Sequence, residues 1–146
     1  MILIFGSASS FLGFLVMFAW HANLPILIQT QSTFVPMQYN TALGFLFSGL
    51  GLILVKFSRV GLGKFVGILV SLLGGLTLIQ YFFDIDFGID QLVIESFIQI
   101  QTSHPGRMAP NTALSFFLFG VYLLCWNNRN KSSIVTFQVL QEFPIN

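Results

Sequence analysis

Charged residues are scarce in this chain. They make up 8% of its 146 residues, while 55% are hydrophobic. Soluble domains carry about 25% charged residues. No Asp, Glu, Lys or Arg occurs between Met1 and Val55. This composition excludes a water-soluble domain and predicts that the lipid bilayer is the main partner. The net charge of +1 gives no reason to expect nucleic acid as a partner.

The residue patterns that carry chemistry are also missing. Cys125 is the single cysteine, which excludes an internal disulfide, and its apolar neighbours predict that it packs as a small hydrophobe. We find no zinc-ligand spacing, phosphate-binding loop or nucleophile–base pair. The sequence therefore predicts a protein that is not an enzyme, and it names no cofactor. No charge lies in the middle of an apolar segment, which argues against proton-coupled transport.

Four apolar segments have about the length that a membrane-spanning helix needs: 2–20, 39–57, 64–83 and 111–127. The first lacks the basic start and small-residue cleavage site of a signal peptide, so we interpret it as a retained helix. The predicted transmembrane domain covers 1–131. Residues 132–146 are either a cytoplasmic tail or the start of a continuation.

The basic residues predict an orientation. Three cluster between the second and third segments and two follow the fourth: Lys56, Arg59, Lys64, Arg129 and Lys131. Positive charge marks the cytoplasmic side. The sequence therefore predicts a multi-pass protein of the bacterial inner membrane with both termini in the cytoplasm.

The sequence Asn-Thr-Ala-Leu occurs twice, at 40–43 and 111–114, an offset of 71 residues (111 minus 40). A methionine precedes each copy by three residues, at Met37 and Met108. The helices before the two copies match weakly at an offset of 61, so the second outer loop is longer. The predicted fold is an all-α membrane protein with two tandem, parallel helical-hairpin repeats.

The longer outer loop carries two further predictions. Apolar residues between 89 and 100 recur at helical spacing, which predicts a short outer helix lying in the membrane interface; a plain loop is the alternative. Asp84, Asp86 and Asp90 lack the remaining positions of an EF-hand. We interpret these carboxylates as markers of the lipid–water boundary.

The repeated motif has two interpretations. In the first, Asn40 and Asn111 are N-caps that start the second and fourth spans. In the second, the outer ends of these two helices bind a small or lipid-like ligand, because helix N-termini offer free N–H groups. The candidate ligand-binding residues are then Asn40, Thr41, Arg107, Asn111 and Thr112. Arg107 adds a charge to the second copy alone.

Two histidines, His21 and His104, fall on the predicted outer side. Histidine is a standard axial ligand of haem, so a bis-histidine haem is conceivable. One histidine lies at a helix end and the other in a loop. Unligated histidines are far commoner at such places, so we predict neither a haem nor a metal site.

Three segments, in order, carry a family resemblance: 34–45, 88–92 and 105–114. They resemble the N-terminal transmembrane sensor region of bacterial sensor histidine kinases and diguanylate cyclases. The resemblance covers most of 34–125 and implies a role in signal transduction, including two-component systems. In such proteins, kinase or cyclase domains follow the membrane region, and this chain contains no motif of either kind. The family transfers no ligand and no binding residue.

The favoured hypothesis is a non-catalytic sensory module of the inner membrane. A ligand near the outer ends of the second and fourth spans would bias helix packing and so the signal. The alternative is a structural or accessory subunit of a larger membrane complex. Glycine-rich helix faces favour a homodimer or packing against partner membrane subunits.

Overall fold

The computed structural model describes residues 1–29, 34–98 and 104–126. The regular elements within these ranges are all helices. They are α1 (Ile2–His21), α2 (Pro25–Ile28), α3 (Tyr39–Lys56), α4 (Val60–Phe83) and α5 (Pro110–Cys125). The predicted all-α class is therefore confirmed for the described part of the chain. The predicted segment 132–146 and the basic residues Arg129 and Lys131 lie outside it.

Three helices, α1, α3 and α4, are long and apolar enough to cross a membrane. Helix α5 is apolar but has only 16 residues. Helix α4 begins at Val60, four residues before the predicted start of the third span. Lys64 thus lies inside the first turns of α4.

Helices α1 and α3 form an antiparallel hairpin whose close approach depends on glycine. A Cβ on Gly13 would lie 2.4 Å from the carbonyl oxygen of Ala42, and one on Gly49 would lie 2.4 Å from that of Gly6. Such distances allow only glycine, so the two backbones touch. Near the end of α1, the Trp20 Nε1 donates a hydrogen bond to the carbonyl of Met37, at 2.9 Å.

Helices α4 and α5 form a second antiparallel hairpin with the same kinds of contact. A Cβ on Gly74 would lie 2.4 Å from the carbonyl oxygen of Ala113, and one on Gly120 would lie 2.7 Å from that of Gly67. The Tyr81 hydroxyl donates to the carbonyl of Met108 at 3.1 Å. Each contacting residue on α4 lies 61 positions after its counterpart on α1. Each contacting residue on α5 or just before it lies 71 positions after its counterpart on α3 or just before it.

The two hairpins meet along α3. The rings of Phe45 and Phe116 touch edge to face, with centroids 5.4 Å apart, and Gly51 faces Leu123. These contacts join residues 71 and 72 positions apart, so α3 and α5 run parallel and nearly in the register of the sequence repeat. Helix α4 packs antiparallel to α3, where Gly63 faces Val55.

The bundle is open on one side. Among the described helices, α1 packs on α2 and α3, and no Cα atom of α1 lies within 8 Å of a Cα atom of α4 or α5. If the hairpins were related by an exact twofold rotation, the contact between α3 and α4 would have a counterpart between α1 and α5. That counterpart is missing, and a groove takes its place.

Two predictions about local structure are wrong. The stretch 89–98 forms turns and bends instead of an interfacial helix, and the residues just before it already have a non-helical backbone. Asp84 adopts a left-handed conformation with φ of 51° and Gly88 has φ of 67°. The Gly88 N–H donates to the Asp86 carboxylate at 2.8 Å. Side-chain bonds of this kind compete with helix formation.

The N-cap interpretation of the asparagines is also wrong. The cap residues are Gln38 for α3 and Ala109 for α5, and neither makes a side-chain capping bond. Asn40 and Asn111 each lie inside the first turn. Pro110 explains the shift in α5, since its fixed φ suits the first helical position. Helix α3 likewise begins one residue before its asparagine, at Tyr39. The Asn40 side chain is therefore free to bind outside its own helix.

Candidate functional site

A buried ionic cluster lies at the end of the bundle where α4 ends and α5 begins. The Arg107 Nε donates to Asp90 Oδ2 at 2.7 Å, and the Gln80 Nε2 donates to the same oxygen at 2.8 Å. Gln80 is fully buried, and the other two residues are 5% and 7% exposed. Because a buried charge is costly unless it is paired, these three side chains hold one another in place.

The Arg107 side chain has further partners. Its Nη2 lies 3.6 Å from the Asp86 carboxylate, and its guanidinium stacks 5.4 Å from the centre of the Tyr81 ring, a favourable cation–π distance. The charge that the sequence offers to an anionic ligand is therefore already balanced by two carboxylates. Asp90 is buried against Arg107, and its interpretation as a marker of the lipid–water boundary stays a prediction.

The loop 84–98, which the sequence predicts on the outer side and which we call the outer loop, is anchored to both hairpins. The Asn40 Nδ2 donates to the carbonyl of Ile89 at 3.0 Å. The Phe97 ring packs on Trp20 of α1, with centroids 4.8 Å apart. A Cβ on Gly106 would lie 2.4 Å from the Asp90 carbonyl oxygen, so the segment that carries Arg107 presses directly on this loop. The loop thus covers the N-terminus of α3.

A groove of about 530 Å³ lies between α1, α3 and α5, and we call it the α1–α5 groove. This volume is in the range of small-molecule sites. Its walls are mostly apolar and largely aromatic. The lining residues are Phe5, Ser9, Phe45, Ser48, Leu52, Asn111, Thr112, Ser115, Phe116 and Phe119.

The polar atoms of the groove differ in what they bind. The Ser9 hydroxyl donates to the Phe45 carbonyl at 2.8 Å, and the Ser115 hydroxyl donates to the Asn111 carbonyl at 2.9 Å. The Ser48 hydroxyl has no hydrogen-bond partner in the part of the chain that the structure describes, although Ser48 is only 8% exposed. A buried polar group without a partner costs free energy, so Ser48 marks a place where a ligand atom would be stabilised.

The predicted ligand-binding residues separate in the structure. Asn111 and Thr112 line the α1–α5 groove. Arg107 lines a polar cavity of about 230 Å³, and Asn40 lines an apolar cavity of about 240 Å³ under the outer loop. Thr41 is half-buried and lies outside the lining of all three. The two asparagines, equivalent in sequence, therefore face different surroundings.

The two histidines belong to different surroundings as well. The His21 ring lies 3.3 Å from the Tyr39 hydroxyl, and the His104 ring contacts Tyr81 with centroids 6.3 Å apart. Tyr39 belongs to the hairpin of α1 and α3, and Tyr81 to the hairpin of α4 and α5. The two histidines therefore have aromatic neighbours on two different hairpins. Within the described ranges, no group of three or more His, Cys, Asp or Glu side chains is placed to hold a metal ion.

Sequence reasoning missed Ser9, Ser48 and the phenylalanines of the groove. One signal was available, since Ser48 occupies the position that Phe119 holds in the second copy of the repeat. A small polar residue at the position of an aromatic one leaves space, and Phe119 lies across the groove from that space.

Comparisons with known proteins add no identity. A scan against protein-family models, a search of curated proteins and a search of solved structures find no match.

Proposed function

We propose that this chain is a non-catalytic sensory module of the bacterial inner membrane, which binds a lipid-soluble ligand in the α1–α5 groove. The observation that carries the proposal is the groove itself, which separates two closely packed hairpins and contains the unpartnered hydroxyl of Ser48. The resemblance of 34–45, 88–92 and 105–114 to sensor regions supports the same function.

The proposal includes four membrane spans arranged as two parallel hairpin repeats. Its support is that Gly13 and Gly74, Gly49 and Gly120 make matching contacts at matching positions. The 16 residues of α5 give a length of about 24 Å at 1.5 Å per residue. This is shorter than the hydrocarbon core of about 30 Å. Local thinning of the bilayer compensates for such a difference at modest cost.

Signalling in this proposal uses the open side of the bundle. The hairpins contact each other through α3, so a change in the spacing of α1 and α5 requires no rupture of either glycine-packed hairpin. A ligand shifts that spacing if it binds one arrangement more tightly than the other. Helix α5 would then transmit the shift towards the C-terminal side.

The orientation is tested by cysteine labelling. In a Cys125→Ser background, Leu92→Cys reports on the outer loop and Phe57→Cys on the link between α3 and α4; both native side chains are exposed. We expect a membrane-impermeant maleimide to label Leu92→Cys in intact spheroplasts, and Phe57→Cys only after lysis. The reverse pattern would overturn the orientation with both termini in the cytoplasm.

The sensory function is tested by fusing the full chain to a cytoplasmic diguanylate cyclase reporter. We expect its output to change when the lipid-soluble content of the membrane is changed by growth conditions. The control is a fusion carrying Ser48→Phe, which places a bulky ring in the groove at the position of a small hydroxyl. An inserted, active reporter that gives constant output under all conditions, with and without Ser48→Phe, would reject the sensory function.

A structural or accessory subunit is the second candidate. Phe11, Phe14 and Phe18 on α1 are 66%, 62% and 55% exposed, and their spacing places them on one helix face. Such a face suits a protein partner as well as lipid. Native purification distinguishes the two functions, because an accessory subunit would co-purify in one large complex of fixed composition. A sensor would elute as a monomer or homodimer.

A further inference from the structure

The lining of the α1–α5 groove suits an uncharged ligand better than a charged one. None of its ten lining residues carries a charge. Arg107 lies shortly before α5 in the chain, and its charge is balanced by Asp90 and Asp86. A phosphate or carboxylate in the groove would therefore meet no free cation, and the desolvation of such a group is costly. A neutral molecule with hydrogen-bond acceptors avoids this cost.

Hydrogen-bond donors lie on two walls of the groove, on α3 and on α5. The Ser48 hydroxyl is unpartnered, and within the described residues no hydrogen bond occupies the Thr112 hydroxyl or the Asn111 Nδ2. The Asn111 Oδ1 accepts from the Thr112 backbone N–H at 2.9 Å, and its Nδ2 is the donor that remains for a ligand. A ligand with an acceptor at each end could use donors on α3 and α5 together.

The spacing of these donors restricts the ligand further. Phe45 and Phe116 touch, and Gly51 faces Leu123, so α3 and α5 run side by side with an offset of 71 to 72 residues. Relative to the level of Phe45 and Phe116, Ser48 lies three residues to one side and Thr112 four residues to the other, about 10 Å apart along the axis at 1.5 Å per residue. The two helices are also separated sideways, so only a ligand with two separate acceptors can bind both donors.

We propose that the α1–α5 groove binds a membrane-soluble molecule with a flat, uncharged ring that carries two opposed carbonyl oxygens, the chemistry of a quinone. One oxygen accepts from Ser48 and the other from Thr112 or Asn111. The ring lies against the aromatic wall of Phe45 and Phe116, which favours flat rings. The isoprenoid tail leaves through the open side between α1 and α5. The role of this molecule as a signal rests on the proposed sensory function, whereas its binding in the groove does not.

Binding is tested with the full chain in phospholipid nanodiscs and a benzoquinone that carries a short isoprenoid tail. Quinones quench tryptophan fluorescence, and Trp20 and Trp126 supply the signal. We expect saturable quenching. Ser48→Ala and Thr112→Val should each raise Kd about 3- to 10-fold, the effect of one lost hydrogen bond.

The chain supplies matched controls. Ser71→Ala removes another buried, unpartnered hydroxyl, and Thr41→Val changes the threonine of the first motif copy. Neither residue lines the groove, so we expect neither substitution to alter Kd. Quenching that rises linearly without saturation would mean partition into the bilayer only, and would overturn the site. So would equal Kd values for all four variants, provided that each melts like the unmodified protein.

The occupant and the function can fail separately. If a diacylglycerol or the nanodisc phospholipid displaces the quinone at equal concentration, the groove holds ordinary lipid and the quinone assignment is wrong. If the quinone binds with the expected variant pattern but the cyclase reporter gives constant output, the site stands and the sensory function is rejected. A reporter that responds to quinone while binding is unsaturable would reject the site alone.

Discussion

The two copies of Asn-Thr-Ala-Leu occupy equivalent positions and have different environments. Asn40 is 5% exposed, and its side chain donates to the Ile89 carbonyl of the outer loop. Asn111 is exposed; its side chain accepts from the adjacent N–H of Thr112 and lines the α1–α5 groove. The asparagine of the motif thus anchors a loop in one hairpin and lines an open groove in the other.

The difference comes from residues outside the motif. The longer outer loop covers the start of α3, and it is held there by the pairing of Asp90 with Arg107. The first copy has Pro36 where the second has Arg107, so no equivalent ion pair can fix a loop over the start of α5. Repeated sequence determines the shared helix contacts, whereas the unshared loop determines which copy stays accessible.

The largest effect should come from removing the charge that holds the loop. Arg107→Met leaves the Asp90 carboxylate buried and unpaired, and we expect a loss of about 3–5 kcal/mol of unfolding free energy. The measurement is denaturant unfolding in detergent micelles, followed by tryptophan fluorescence. Arg59→Gln, at an exposed position in the link before α4, is the control and should have little effect.

The double variant Arg107→Met with Asp90→Leu sharpens this test. Because it removes both charges, most of the lost stability should return. If the single and double variants are equally destabilised, or if Arg107→Met has no more effect than Arg59→Gln, the ion pair does not hold the loop. The different environments of the two motif copies would then need another explanation.

The second effect tests whether the two hairpins are equivalent. Gly13→Ala and Gly74→Ala each place a methyl group 2.4 Å from a carbonyl oxygen of the facing helix. We expect each to cost about 1–3 kcal/mol, as overpacking does, with similar values for the two. Gly61→Ala is the control, since a Cβ there meets nothing within 4 Å. A large cost at one glycine and none at the other would contradict the equivalence.

Much of the fold could be predicted because lipid imposes a simple rule on sequence. Apolar runs of sufficient length must be helices, since lipid offers no partner for backbone groups. Three of the four predicted spans are confirmed as long apolar helices, and α5 is confirmed as a shorter one. Which residues pack together comes from the structure, where Ala42 and Ala113 face glycines at matching positions.

The outer loop could not be predicted by the same rule. Its apolar spacing is helical, but Asp90 is drawn inward by Gln80 and Arg107, which are 10 residues before it and 17 residues after it. Such contacts are absent from any local pattern. The candidate site was half predicted: Asn111 and Thr112 line the groove, whereas Arg107 is used internally. Ser48 was missed because periodicity alone does not distinguish a lining serine from a packing one.

The third effect compares the two asparagines directly. Asn40→Ala removes the donor to the Ile89 carbonyl, and an acceptor left without a partner costs about 1–3 kcal/mol. Asn111→Ala breaks only a bond to the next residue at an exposed position, so we expect a change near zero. Thermal unfolding of both variants in the same detergent measures the difference. Equal losses would show that the copies play the same structural role.

The smallest effects concern Ser9 and Ser48 of the groove. The informative result is whether each substitution lowers or raises the free energy of unfolding. Ser9→Ala removes a hydroxyl that donates to the Phe45 carbonyl, so we expect a loss of about 1 kcal/mol. Ser48→Ala removes a hydroxyl that is buried without a partner. In the protein without ligand it should leave stability unchanged or raise it by up to about 1 kcal/mol, because an unsatisfied polar group no longer has to be buried.

A gain of stability at Ser48 would separate folding from binding in a single residue. A side chain that weakens the fold and strengthens quinone binding is what a ligand site requires, since functional groups often cost stability. The measurement is the unfolding free energy of Ser48→Ala with and without the benzoquinone. We expect the quinone to stabilise the unmodified protein more than the variant. If Ser48→Ala destabilises the ligand-free protein as much as Ser9→Ala does, its hydroxyl serves the fold, and the groove loses its strongest indication of a ligand.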